Sequence, residues 1–498
     1  MATLQPWNIR IGQVGPPVLP PLDQVENPAP PPLQTPHPRW PFENLAFEGG
    51  GAKGIAYVGA VQVLEEEGLY PQHVLRVSGT SSGSFLAAML AVGCPAKDLA
   101  GLLFETDIAA VMRDARWGMV SGLVNMVTVF GWNPGEKLLA FLGDRLRERT
   151  GSEDVTFRQV LERSGRELCV PVTNLTRMCT EYCHPKTTPD MPVRLAVGMS
   201  MSLPVLMAPY RLVRPDKAGG SDLYTDGGLL CNYPVHAFDG WWLSMHPDDT
   251  FLNRLRPLDR VVEQMHDQVR FLPRNPRTLG LTVFDRAELD ASERWLTAEG
   301  RPPARPDTRL ARECAVGEAR LAQLRALRAE LDGAAQRLVD ALAAVERDGD
   351  GAVCRDEIRQ LFDVGTLTAE DARLLFGRTD LDGIFAALDR NGDGAIRYDE
   401  LLRYIDARNV ELTAHLGLAH KEPRSMTSFV STVFNTLLMH LRRVTLHPED
   451  RFRTLPIDTD YVGTADFDLE PDDRAFLLES GRRAAKAFLA GVEARKAP

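Results

Sequence analysis

Two short apolar runs, each followed by a glycine-rich turn and then a helix-forming stretch, fall within 50 residues of one another in this 498-residue chain. Asn44–Glu48 (NLAFE) reads as a buried strand, Gly49–Gly54 as a turn, and the residues from there to about Glu67 as a helix stopped by Gly68. Val74–Ser78 then reads as a second strand, Gly79–Gly83 as a tight turn, and Ser84–Val92 as a helix ending at Gly93. Strand–turn–helix twice in succession signals a parallel α/β sheet whose loops gather at one edge. Leu168–Thr173 and Tyr210–Val213 are further strand candidates, and the α/β pattern runs to about residue 285.

Length allows roughly three domains, or one large domain with an insertion, at about 150 residues each. Apolar residues make up 44% and charged residues 25%, which excludes a wholly disordered chain and a disulfide-scaffold miniprotein. The net charge of −11 argues against a nucleic-acid partner, since phosphate contacts need a basic face. Seven scattered cysteines fit a reduced compartment, or a fold that does not depend on disulfides. The first residues show no signal-peptide core. Trp117–Gly135 is uncharged but carries four glycines and a proline, so it is a poor membrane span. The expected location is cytoplasmic or peripheral to a membrane.

Residues 1–41 hold twelve prolines. They read as a disordered tail, with a proline-recognising partner as the functional alternative. An α/β core is expected over 42–290 and again over 415–498, with a helical insertion over 291–414. Within 303–345, Leu321, Leu324, Leu331, Leu338, Leu342 and Val345 recur at steps of three, four and seven, the stripe of an amphipathic helix. Met119–Trp132 also has helical apolar spacing, and reads either as a buried helix or as an interfacial lid.

Gly79-Thr80-Ser81-Ser82-Gly83 is a G-x-S-x-G turn. Such a turn holds a nucleophilic serine exposed between strand and helix, and glycines on either side let the backbone pass close by. The run Gly49, Gly50, Gly51 and, beyond Ala52-Lys53, Gly54 offers backbone N–H groups with no side chain in the way, suited to a developing oxyanion. Phosphate binding is the rival use, but the P-loop order of Gly, Lys and Ser/Thr is not met. Asp226 precedes Gly227-Gly228, where a turn can aim a carboxylate into a cleft as a general base; a plain surface turn is the other reading.

In this order, G-G-G-x-K-G, G-x-S-x-G and D-G-G resemble the patatin-like phospholipases. Asn232-Tyr233-Pro234-Val235 and Thr464–Leu469 extend the match. The resemblance implies a patatin-like three-layer α/β sandwich with a mainly parallel central sheet. It also implies a Ser81–Asp226 dyad without a catalytic histidine, an oxyanion loop at Gly49, Gly50, Gly51 and Gly54, and a membrane or micellar phospholipid substrate. An aspartate near its reference pKa of about 3.9 is a weak base, so positioning would have to carry much of the rate. His236, ten residues past Asp226, reads as structural. Lys53 would pair with a lipid phosphate or with a carboxylate.

A second chemistry interrupts this pattern. Residues 389–400 (DRNGDGAIRYDE) fit the EF-hand loop, with Asp389, Asn391, Asp393, the Ala395 carbonyl and Glu400 as oxygen ligands for Ca2+. Arg397 places a cation near the ion. Residues 346–357 form a weaker partner loop, with Glu346, Asp348, Asp350, Ala352 and Glu357 at the ligand positions and a glutamate where aspartate is expected. Val353 matches Ile396 as the apolar residue joining the loops. An inserted all-α EF-hand domain is therefore expected. The combined expectation is a lipid acyl hydrolase whose chemistry needs no metal and which calcium regulates through the insertion. The alternatives are a neutral-lipid or general esterase with a structural insert, and a non-catalytic calcium-sensing scaffold.

Overall fold

The computed structural model describes residues 36–114, 125–128, 130–213, 221–256, 258–286, 300–316, 368–389, 391–397 and 446–495, with shorter pieces between 318 and 441 such as 352–356 and 400–401. The chain divides into two compact units, Met1–Ala311 with Val430–Pro498, and Arg312–Phe429. Most of the proline-rich tail lies outside the described residues. Of the leucine stripe, only Leu338 lies within them, and it is buried.

In the first unit the strands are β1 (Asn44–Phe47), β2 (Arg76–Gly79), β3 (Gly131–Asn133), β4 (Glu167–Asn174), β5 (Cys179–Cys183), β6 (Val205–Met207), β7 (Tyr210–Val213), β8 (Ser221–Thr225) and β9 (Thr278–Asp285). In the second unit β10 is Ala352–Cys354 and β11 is Ala395–Arg397; β12 (Thr454–Asp460) returns to the first. The main sheet has the order β12-β9-β1-β2-β4-β8-β7, with β5 also paired to β4. Its first five strands are mutually parallel, and β5, β8 and β7 join antiparallel. Leu45, Ala46, Phe47, Leu279, Leu281 and Val283 are fully buried, as expected of parallel strands covered on both faces.

The helices that matter for the site are α1 (Ile55–Glu66), α2 (Ser82–Ala91) and α3 (Val193–Ser200). The second unit carries α4 (Ala369–Phe376) and α5 (Leu381–Leu388), and α6 (Pro471–Ala494) ends the chain. α1 packs along α6, where Arg482 bonds Gln62 and pairs with Glu66. β9 and β12 are adjacent parallel strands, so the link between them is a crossover. The second unit lies within that link.

Within the second unit, Thr368 and Asp371 cap α4 reciprocally, and Arg337 pairs with Asp371. β10 and β11 form a two-stranded antiparallel ladder with Val353 opposite Ile396. This small ladder is strand content that an all-α reading of the insertion leaves out.

Candidate active site

The C-terminal ends of β1 and β2 lie side by side, and each opens directly into its glycine-rich turn. Ser81 sits at the apex of the second turn with φ 52° and ψ −127°, a conformation disfavoured for a residue with a Cβ and characteristic of strained functional turns. The turn is tight because a Cβ on Gly79 would lie 2.1 Å from the Gly83 carbonyl. Three hydrogen bonds hold its shape. Thr80 Oγ1 donates to the Cys231 carbonyl at 2.8 Å, Ser84 Oγ to the Ser81 carbonyl at 2.6 Å, and the Ser81 amide to Ser200 Oγ at 3.1 Å. Ser200 ends α3 and itself donates to the Pro171 carbonyl at 2.8 Å.

Asp226 arrives from the antiparallel side of the sheet, directly after β8. Its amide donates to the Ser202 carbonyl, and its own carbonyl accepts from Thr173 Oγ1 on β4. With the backbone fixed at both ends, its side chain points at the serine turn. Ser81 Oγ donates to Asp226 Oδ2 at 2.9 Å, and Asp226 Oδ1 accepts the Gly228 amide at 2.7 Å. The carboxyl is 2% exposed. Burial pushes its pKa up to about 7, against the smaller opposing effect of those two hydrogen bonds. An ordinary aspartate value, expected from sequence, is thus replaced by one matched to proton transfer near neutrality.

The glycine loop packs against the serine turn. Gly50 N–H donates to Ser82 Oγ at 3.2 Å. Gly51 has φ 56°, and a Cβ there would lie 2.1 Å from the Thr464 carbonyl, which accepts the Ala52 amide at 3.0 Å. Successive amides in such a left-handed turn form an anion-binding concavity. The Gly49 amide corrects the sequence expectation: it donates to the Asn232 carbonyl at 2.9 Å, so it is committed to the scaffold. Asn232 also donates through Nδ2 to the Gly49 carbonyl and to Glu48. Gly54 abuts Ser82, whose Oγ lies 2.8 Å from where a Cβ would be. Lys53 is buried. His236 is turned to Tyr182, 2.8 Å away, and to Phe271. Ser200, Asn232 and Thr464 were not singled out as site residues from sequence; among them, Asn232 and Thr464 stood within quoted motifs.

Residues 45–239 match the patatin-like phospholipase family model. The chain carries a patatin-like domain. Protein R571 of Acanthamoeba polyphaga mimivirus is 31% identical over 40% of this chain and 62% of its own length. YqhO of Bacillus subtilis is 33% identical over 39% of this chain and 65% of its own. The probable lipid hydrolase 463L of Invertebrate iridescent virus 6 is 24% identical over 39% of this chain and 62% of its own. The chain thus spans a little under two thirds of the length of these three relatives.

The loop from Asp389 lies outside that part. Asp389 accepts the amides of Gly392, Asp393 and Gly394, and Asp393 accepts that of Ala395. Glu400 reaches back to the amides of Asn391 and Arg397, and Arg397 lies 3.7 Å from Asp393. Among the described residues no three His, Cys, Asp or Glu side chains are already gathered as around a metal. In the partner loop Glu346, Asp348, Asp350 and Glu357 lie outside the described residues, and Ala352 begins β10. Among the described residues no helix is long and apolar enough to cross a membrane.

Proposed function

We propose that this chain is a lipid acyl hydrolase with Ser81 as nucleophile and Asp226 as its base. The observation that carries the reading is the 2.9 Å hydrogen bond from Ser81 Oγ to a buried carboxylate whose pKa lies near 7. Ser81 Oγ attacks the ester carbonyl carbon and its proton passes to Asp226 Oδ2. The carbonyl electron pair moves onto oxygen, which the Gly51 amide stabilises. Collapse breaks the bond to the leaving alcohol, which takes the proton back from Asp226. Water, deprotonated by Asp226, then attacks the acyl-serine; fatty acid leaves and Ser81 regains its proton. The patatin-like domain and the name of the iridescent virus relative favour a glycerophospholipid or lysophospholipid substrate, with neutral glycerolipid next. The test is fatty-acid release from phospholipid vesicles by wild type and Ser81→Ala. Release that persists at the wild-type rate in Ser81→Ala sinks the reading.

A second element of the proposal concerns calcium. Two features favour an EF-hand pair in the second unit: the Val353–Ile396 ladder and the closure of loop 389–400 by Glu400. Asp389, Asn391, Asp393, the Ala395 carbonyl and Glu400 would hold calcium, a hard cation suited to oxygen donors. Its contribution is charge and order in the insertion, not a step at Ser81. Because the insertion sits in the β9–β12 crossover, ordering it bears on β12 and hence on Thr464 beside the glycine loop. Calcorimetric titration checks this: heat of calcium binding that is equal in wild type and Glu400→Gln counts against it.

A further inference from the structure

We propose that an apolar rim around Ser81, formed by Val127, Phe130, Leu175, Met178 and Leu230, docks the protein onto the surface of a phospholipid bilayer. The proposal rests on the lipid-hydrolase reading of the site. Because β1, β2 and β4 are parallel, their C-terminal ends share one edge of the sheet, the edge that carries Ser81. Leu175 follows β4 on that edge, and its amide bonds the Leu223 carbonyl on the strand leading to Asp226. Arg177 and Met178 make the turn from β4 to β5. Leu230 closes the turn that begins at Asp226. On the other flank the Ser202 carbonyl accepts both the Asp226 amide and Thr225 Oγ1. Three residues later Val205 pairs with Gly131, which Phe130 and the helical turn holding Val127 precede.

These side chains face water. Met178 is 87% exposed, Val127 80% and Phe130 58%, and Leu175 and Leu230 are also exposed. Backbone strain accompanies the exposure: Met178 (φ 54°) and Phe130 (φ 63°) occupy the left-handed region. Solvated turns usually put glycine or asparagine there. Bulky apolar residues held outward at that cost gain nothing for the fold, which points to a use in binding.

Charge selects the occupant. The chain has 68 acidic residues, yet the segments 125–130 and 175–178 contain none, and their only charged residue is Arg177. Arg177 pairs with the buried Asp222 at 3.1 Å, so the tips carry no uncompensated charge to oppose insertion between lipid headgroups. The tips stand on separate turns at the edge of the sheet that carries Ser81.

The experiment is flotation of the Ser81→Ala protein with phosphatidylcholine vesicles, with and without phosphatidylserine, which that variant does not consume. Met178→Asp and Val127→Asp, added singly, should each lower vesicle partitioning by about tenfold. In the protein with Ser81 intact, the same changes should leave hydrolysis of a water-soluble short-chain ester within about twofold, which also shows that the variants fold. Unchanged flotation with intact ester hydrolysis overturns the rim and leaves the site reading standing. Rim-dependent flotation with no Ser81-dependent hydrolysis supports the rim and overturns the site reading. A fall in molar mass on substitution, with no change in flotation, makes the rim a contact between copies and overturns the proposal.

Discussion

Ser81 and Asp226 lie 145 positions apart and meet because β2 and β8 both pair with β4, so the sheet itself sets their distance. The oxygen donors of loop 389–400 lie within twelve consecutive residues and are arranged by hydrogen bonds from their own backbone. The first arrangement depends on topology and burial, the second on local turn chemistry. Burial also gives them different electrostatics. Asp226 is sealed and its pKa is displaced to about 7, whereas Asp389 and Asp393 belong to an exposed loop. A site made by the sheet should therefore be lost through changes far from it in sequence, and a site made by a loop only through changes within the loop.

The largest expected effect is at Asp226. Asp226→Asn should cut turnover by roughly 10³-fold, the usual reach of general base catalysis. As the proposed base, Asp226 is ionised only above about pH 7, so kcat/KM should rise about tenfold per pH unit below that point and level off above it. The same burial has a sign for stability. The folded carboxyl titrates above the ordinary aspartate value, so the native state holds the extra proton. That stabilisation is complete below about pH 4 and lost as pH rises through about 7. Asp226→Asn, neutral throughout, should accordingly raise Tm at about pH 8 while abolishing most activity. A lower Tm there would contradict the account of burial.

Next comes Gly51→Ala, whose Cβ must displace Thr464 and adopt φ 56°. Turnover should fall by roughly 10²-fold and stability by about 2 kcal/mol, read by ester assay and chemical denaturation. Ser200→Ala removes the acceptor for the Ser81 amide. A drop in kcat of about tenfold with KM unchanged is expected, with Ser200→Thr restoring part of it. The smallest effect on catalysis belongs to Glu400→Gln. In chelator it should hydrolyse ester like wild type, while its calcium affinity falls by at least about tenfold. Reduced activity in chelator would show that the two sites are not separable in the way their construction suggests.

Much of the sheet-built site was legible because its constraints are local at each end. The turns after β1 and β2 need glycine, and the helix after each begins where the pattern changes period. β1, β2, β4 and β7 were expected within a few residues of where they lie. The juxtaposition of Ser81 with Asp226 came from the resemblance, since no spacing rule links residues on β2 and β8. What stayed hidden depends on packing. Ser200 is one serine at the end of an apolar helix, and its role exists only because α3 ends beside the serine turn. Nothing in a glycine run says which amide is free, so Gly49 could not be told from Gly51. The shifted pKa of Asp226 is a property of what surrounds it. The segment Met119–Trp132 had two readings with equal periodicity; the exposure of Val127 favours the outward one for the part described.

The carbonyl of Thr464 receives the amide of Ala52, a bond between the beginning and the end of the catalytic unit. During synthesis the serine turn, the glycine loop and Asp226 all leave the ribosome well before Thr464 is made. Domains fold largely as they emerge, so the nascent chain holds Ser81 and Asp226 beside a glycine loop that lacks this bond until Thr464 docks. Chains stalled within the insertion should then label at Ser81 with a fluorophosphonate more slowly than chains that extend past Thr464.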